Sequence, residues 1–147
     1  MTIRPHRRLP VRRALLGLVA LAALSACGSG DGDSDKPSTT PETSLTITVL
    51  VDEGATPKVM KLACNPDGGD HPQPAQACAA LDEAGAKIFK PVPKDQVCSM
   101  LYGGPQTATV TGTYKGKAVD ATFKRTNGCE TDRWEKLGTT FFNVPMQ

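Results

Sequence analysis

TATVTGTYKGKAVDATFK (107–124) holds two alternating runs, 107–115 and 117–124, on either side of Gly116. Threonine, valine, tyrosine and phenylalanine suit a pleated, half-buried surface. Two such runs joined through Lys115-Gly116 predict a tight antiparallel hairpin. Upstream, SLTITVLV (44–51) alternates again, with Leu45, Ile47, Val49 and Val51 on one face of a strand. EGATP (53–57) is a turn, and KVMKLAC (58–64) reads as the next strand. NPDGGDHPQP (65–74) carries three prolines and two glycines and is read as loop only. AQACAALDEAG (75–85) is a short alanine-rich helix stopped by Gly85. Trp134 lies in ETDRWEK, a short helix or loop, and TTFFNV (139–144) is read as a closing strand. No internal repeat is present. The class is α+β: an antiparallel sheet with one or two helices packed on it.

The chain has 147 residues, 39% of them apolar. That supports one domain with a core and excludes a multidomain enzyme, a polytopic membrane protein and a wholly disordered chain. Seventeen Lys and Arg against fifteen Asp and Glu give a formal charge of +2. Five of those bases (Arg4, Arg7, Arg8, Arg12 and Arg13) precede residue 27, where there is no acid. From residue 27 onward twelve bases face fifteen acids, a balance of −3. The basic start therefore carries no argument for nucleic acid as a partner.

Residues 1–26 read as an export signal: an arginine-rich start, then the apolar ALLGLVALAALSA (14–26), too short to span a bilayer comfortably. Arg12-Arg13 faintly resembles a twin-arginine signal. LSAC (24–27) resembles the lipobox of bacterial lipoproteins, which implies diacylglyceryl attachment to Cys27 and cleavage before it. Ordinary cleavage near Ala26 fits less well, because Leu24 stands where a small residue is expected. Lipidation would hold the protein on the membrane at the cell surface. Residues 28–43 are mostly Gly, Ser, Thr, Asp and Pro, with Lys36 and Glu42 and no large apolar side chain, a flexible linker. Its Asp31, Asp33 and Asp35 lack the downstream bidentate glutamate of a calcium loop. The folded domain is 44–147, with eleven acids and eleven bases.

Five cysteines is an odd number for an exported chain. Lipidation of Cys27 leaves Cys64, Cys78, Cys98 and Cys129, and four cysteines allow three pairings. The local pairing, Cys64–Cys78 with Cys98–Cys129, would pin the proline-rich loop at its base and tie residue 98 to the segment before the closing strand. On the loop-entropy account those bridges contribute about 3 and just under about 4 kcal/mol. No pair has C-x-x-C spacing, so neither a zinc site nor a thioredoxin-type site is read, and no cofactor or metal is expected.

Catalytic constellations are missing from the pattern. The exported part has one histidine, His71, inside the small loop DHPQP, and it reads as a turn residue bonded to nearby backbone. Asp52-Glu53 and Asp82-Glu83 are adjacent in sequence, so a strand or helix would point them apart. YGG and NGC are turns rather than phosphate loops. The chain is read as not an enzyme; a small two-carboxylate hydrolase is the remote alternative.

KDQVCSMLYGGP (94–105) fits neither core nor ordinary turn. Met100, Leu101 and Tyr102 stand in a row, and an extended chain cannot turn three consecutive side chains inward. One reading is a short buried strand, VCSMLY. The other is an exposed, extended loop braced at Cys98, able to lie in a protease cleft as a substrate strand with Met100 in the primary pocket.

At these residues the chain resembles the Streptomyces subtilisin inhibitor family. The resemblance rests on KLACNP…HP…ACAAL (61–81), VCSMLYGGP (97–105), TGTYKGKAV (111–119), TNGCE (126–130) and FFNV (141–144). It implies a tight-binding inhibitor of subtilisin-like serine proteases and an antiparallel sheet of about five strands with two short helices, usually as a homodimer. It implies the bridges Cys64–Cys78 and Cys98–Cys129. Aligned on CSMLY, it implies Met100–Leu101 as the reactive bond, with Cys98, Ser99, Tyr102 and Gly103 in the protease-contacting loop. Asn127 matches a family asparagine that braces the loop by hydrogen bonds; an Asn-Gly turn is its plainer reading. The chain departs from the family pattern at Ser99, where many relatives carry a restricting residue. It departs again at Gly103-Gly104, which is permissive and one residue longer, and both changes are expected to soften the loop. The competing function is a lipid-anchored binding module on the same scaffold that no longer inhibits.

Overall fold

The computed structural model describes residues 40–145. The signal segment, Cys27 and most of the linker read from the sequence lie outside the described residues.

The hairpin forms where the alternation places it. β4 (Thr107–Tyr114) and β5 (Lys117–Phe123) pair antiparallel, from Ala108 opposite Phe123 to Tyr114 opposite Lys117. Lys115 and Gly116 take φ of 47° and 75°, the paired positive angles of a turn whose twist matches that of the strands. β1 (Thr43–Leu50) lies antiparallel between β4 and β2 (Lys58–Cys64). The fifth strand is β3 (Gly68–Gly69), and the sheet order is β3-β2-β1-β4-β5.

Leu45, Ile47 and Val49 are buried on one face, as the alternation requires. Val51 falls past the end of β1 and is exposed. The same face carries Met60 and Leu62 of β2, Ala108 and Val110 of β4, and Ala121 and Phe123 of β5. Its cover begins with α1 (Pro74–Ala84), which has proline in its first turn and ends at Gly85, whose N–H bonds Leu81 O at 2.9 Å. Ala77, Cys78 and Leu81 form its buried stripe. A 3-10 turn, Ala86–Phe89, follows and buries Ile88. The α+β class therefore holds, with the threonine-rich opposite face of the sheet left uncovered among the described residues.

Three local readings are corrected. The 65–74 loop is not loop throughout, because Gly68 and Gly69 pair with Ala63 and Leu62 as β3. A side chain at Gly69 would run into the backbone of Lys61, so only glycine admits this pairing. TTFFNV is not a strand: α3 (Gly138–Phe142) occupies most of it and ends at Asn143 in the left-handed region, φ 48°. Phe141 and Phe142 are adjacent and both fully buried, which a strand with one solvent face cannot achieve. Phe142 stacks on Trp134 at 4.0 Å and meets Phe123 edge-on at 5.3 Å, so tertiary packing overrides local β preference. The helices number three among the described residues rather than two: ETDRWEK, read as helix or loop, falls largely in α2 (Gly128–Glu135), and α3 is the added one.

Two ionic groups fasten these layers. Arg133 of α2 is buried over the Phe123 ring. Its Nε donates to Ile88 O at 2.8 Å and its Nη1 to Thr122 O at 2.7 Å. Burial pulls its pKa below the ordinary arginine value, with Glu130 pulling the other way. At the hairpin turn Lys115 Nζ meets Asp82 of α1 at 3.0 Å. That hydrogen bond, then one with Tyr114, raises the exposed lysine's pKa.

Candidate functional site

Residues 90–106 contain no helix or strand, a length that in a compact domain marks a working loop rather than a connection. Its large apolar side chains stand in solvent: Val97 is 96% exposed, Met100 88%, Leu101 74% and Tyr102 65%. VCSMLY is therefore the extended, exposed loop and not a buried strand.

The loop is held at three points that flank Met100–Leu101. Cys98 is bridged to Cys129 in α2, with a Cα–Cα distance of 5.4 Å. Ser99 O accepts from Gly128 N at 2.9 Å, and Gly103 N donates to Arg125 O at 2.7 Å. These two backbone bonds define an antiparallel clamp between the loop and segment 125–128. The loop takes four steps from 99 to 103, whereas the base takes three from 128 to 125. The longer side must bow away from the shorter. Met100, Leu101 and Tyr102 are the crest of that arch, and none of them makes a backbone hydrogen bond there.

The base is rigid because β5 ends at Phe123 and α2 begins at Gly128. Asn127 is the N-cap of α2, and its Oδ1 accepts from Glu130 N at 3.0 Å. The Gly128 N–H lies in the first turn, where no intrahelical acceptor exists, and it turns to Ser99 O instead. Among the described residues the loop bond next to Asn127 thus comes from the Gly128 backbone, while the asparagine side chain orients the helix start. Asn127→Ala is expected to destabilise the domain by about 1 kcal/mol, lowering Tm by about 4–8 °C in calorimetry.

Gly103 and Gly104 are packed rather than free. A Cβ at Gly103 would lie 2.5 Å from Thr131 Oγ1 and 3.2 Å from Arg125 Cβ. Gly104 has φ of 135°, and a Cβ there would strike Gln106 Oε1. The softening expected from a permissive pair is opposed by this contact on both residues. Gly103→Ala is expected to lift the arch off Thr131 and lower stability by about 1–3 kcal/mol, visible as an earlier midpoint in urea.

The structure thus brings Cys98, Ser99, Met100, Leu101, Tyr102, Gly103 and the Asn127-Gly128 base together. Cys64–Cys78 forms the other bridge, with Cα atoms 5.9 Å apart, under the proline-rich loop. Cys64, Cys78 and Asp67 bring ligand-type atoms close together, but both sulfurs are engaged in that bridge and are not thiolate ligands. His71 is buried: Nδ1 accepts from Gln73 N at 3.1 Å, leaving Nε2 to donate to Phe141 O at 3.0 Å. It is a turn residue bonded to nearby backbone, as read, and it also ties the proline-rich loop to α3. The sequence reading missed Gln106, Arg125 and Thr131. One signal was available for Gln106: it shares parity with the inward Ala108 and Val110.

A family profile described as subtilisin inhibitor-like matches residues 40–127. The chain belongs to the subtilisin inhibitor-like family. A subtilase-type protease inhibitor of Streptomyces fradiae is 31% identical over 143 residues, covering 88% of this chain and 95% of that protein. Subtilisin inhibitor-like protein 1 of Streptomyces cacaoi is 39% identical over 80 residues, covering 52% of this chain and 72% of the relative. Among solved structures, Streptomyces caespitosus sermetstatin in complex with Bacillus licheniformis subtilisin shares 24% identity at a TM-score of 0.44, over 69% of this chain and 97% of that one. For a member of this family, the arch over segment 125–128 is the feature that calls for a function.

Proposed function

We propose that this chain is a substrate-like inhibitor of subtilisin-type serine endopeptidases that presents Met100–Leu101 as its reactive bond. The observation that carries this reading is an arch whose crest is exposed and whose two feet are bonded to one rigid base. Docked as an added strand, the loop offers Met100 to the primary pocket, where burial of its side chain contributes about 1.5–3 kcal/mol. Because the arch is already shaped, little of that contact energy is spent on ordering it.

The same feet account for slow turnover. The catalytic serine attacks the Met100 carbonyl carbon, and the Leu101 nitrogen takes a proton and leaves as an amine. In an ordinary substrate that amine diffuses away and water attacks the acyl-enzyme. Here the Met100 side stays held through Cys98–Cys129 and Ser99 O, and the Leu101 side through Gly103 N. Each new end has its own anchor, so the amine remains in place to re-form the bond.

Met100 is uncharged and apolar, suited to broad apolar pockets and unsuited to a trypsin pocket with its carboxylate. Chymotrypsin-like pockets fall within the same range. The purified domain should inhibit trypsin about 100-fold more weakly than subtilisin in parallel titrations. Equal potency on both would remove Met100 from the primary pocket.

Homodimerisation and membrane attachment belong to the same proposal. The open sheet face, with Val59 56% exposed opposite Thr48, is the surface for a second copy. Lipidation of Cys27 rests on LSAC alone and would place an exported inhibitor at the cell surface. The non-inhibiting binding module gains no support from the family or from the relatives' names.

A further inference from the structure

Three buried side-chain polar atoms find no protein partner among the described residues: Gln106 Nε2, Arg125 Nε and Thr131 Oγ1. All three belong to residues packed under Gly103-Gly104. Gln106 is 1% exposed at the entry to β4, and its Oε1 accepts from Arg125 Nη1 at 3.0 Å. The arginine lies along both glycines, with Cβ 3.2 Å from the Cβ position of Gly103 and Nη1 3.3 Å from that of Gly104. Its backbone oxygen takes the Gly103 N–H. Arg125 therefore grips the loop exit twice, at residue 103 through its backbone and at residue 106 through its guanidinium.

A partly satisfied polar cluster is a poor way to stabilise a core. An apolar pair of similar volume would avoid desolvating a guanidinium and an amide, and such replacements are often neutral or stabilising. What an apolar pair does not supply is direction. A hydrogen bond to a planar guanidinium fixes where Arg125 lies, and so where Gly103 and the Leu101 side of the reactive bond must sit.

We propose that Gln106 and Arg125 form a positioning pair that holds the Leu101 side of the Met100–Leu101 bond in place for re-formation, at the expense of stability. The proposal rests on the inhibitory reading above. It predicts an unusual combination, a variant that is as stable as the parent or more so and is a worse inhibitor.

The test compares the parent domain with Gln106→Leu/Arg125→Met, Gln106→Asn and Gln106→Glu. Three quantities are measured: Tm, the rate at which subtilisin cuts Met100–Leu101 in the complex, and exchange of the Gly103 amide. The double variant should keep or raise Tm while cutting quickens by about 10- to 100-fold, and the Gly103 amide should exchange faster. Gln106→Asn draws the acceptor back by one methylene and keeps a small polar side chain. It should also be cut faster, which preserves the test if the double variant does not fold. Gln106→Glu keeps the acceptor for Arg125 and should behave as the parent does. Parent-like cutting and Gly103 exchange in a folded double variant, or in Gln106→Asn, would overturn the proposal. A lower Tm with unchanged cutting would assign the pair a structural role only and overturn it equally. If the parent itself is digested or does not bind, the inhibitory reading fails first and this inference falls with it.

Discussion

Met100→Asp is expected to abolish inhibition of subtilisin while leaving the domain folded. The side chain is 88% exposed and contributes nothing to the core, so Tm should move by no more than about 2 °C. In the complex the change is severe. The methionine's burial, worth about 1.5–3 kcal/mol, is lost, and an unpaired carboxylate enters an apolar pocket. Together these amount to at least about 4 kcal/mol, or roughly a thousandfold in affinity. An inhibition titration with calorimetry on the same preparation reads both halves. Retained potency would show that residue 100 does not occupy the primary pocket.

Cys98→Ser/Cys129→Ser is expected to turn the inhibitor into a substrate. Cys98 lies two residues before Met100, and its bridge reaches the first turn of α2. Without it the entrance to the arch is held by the single bond from Gly128 N to Ser99 O. Freeing two residues adds about 2–4 kcal/mol of ordering cost to docking, roughly a hundredfold in affinity, and lets the Met100 side drift after cleavage. The informative control is Cys64→Ser/Cys78→Ser. That bridge closes a shorter loop remote from residue 100, and its loss also lowers stability by about 2–5 kcal/mol. Assayed well below its own Tm, the control should still inhibit. If the two pairs lose inhibition in parallel, the Cys98–Cys129 bridge acts through stability and not through the loop.

The sheet was legible because its residues obey one rule. Leu45, Ile47 and Val49, and the runs around Gly116, alternate over enough positions for period two to stand clear of noise. Gly85 announced the end of α1 for the same kind of local reason. Phe141 and Phe142 broke the pattern. Their fate was set by Trp134 and Phe123, residues distant from them in sequence or on another element, and aromatic β preference pointed the wrong way. β3 was hidden because two glycines carry no pattern; what pairs them is the close approach of the Lys61 backbone.

The site divides along similar lines. Three large apolar residues in a row beside a cysteine could not all be core, so the crest of the arch was visible in the chain. Of its foundations, only the Cys98–Cys129 bridge was. The bonds from Gly128 to Ser99 and from Gly103 to Arg125 join backbone atoms, which leave no mark on residue identity. Gly103-Gly104 was read as slack because sequence shows only what glycine permits. The fold shows what it admits, which is the close packing of Thr131, Arg125 and Gln106.

On the proposed reading the arch binds as a substrate and resists being one. Stoichiometric titration of subtilisin with residues 40–147, followed by mass analysis of the complex over time, tests it most directly. Protease activity should fall in proportion to added domain. A single cut, between Met100 and Leu101, should appear slowly in chains that the Cys98–Cys129 bridge keeps joined and that still inhibit. Rapid digestion at several bonds, a first cut elsewhere, or no loss of protease activity would contradict it.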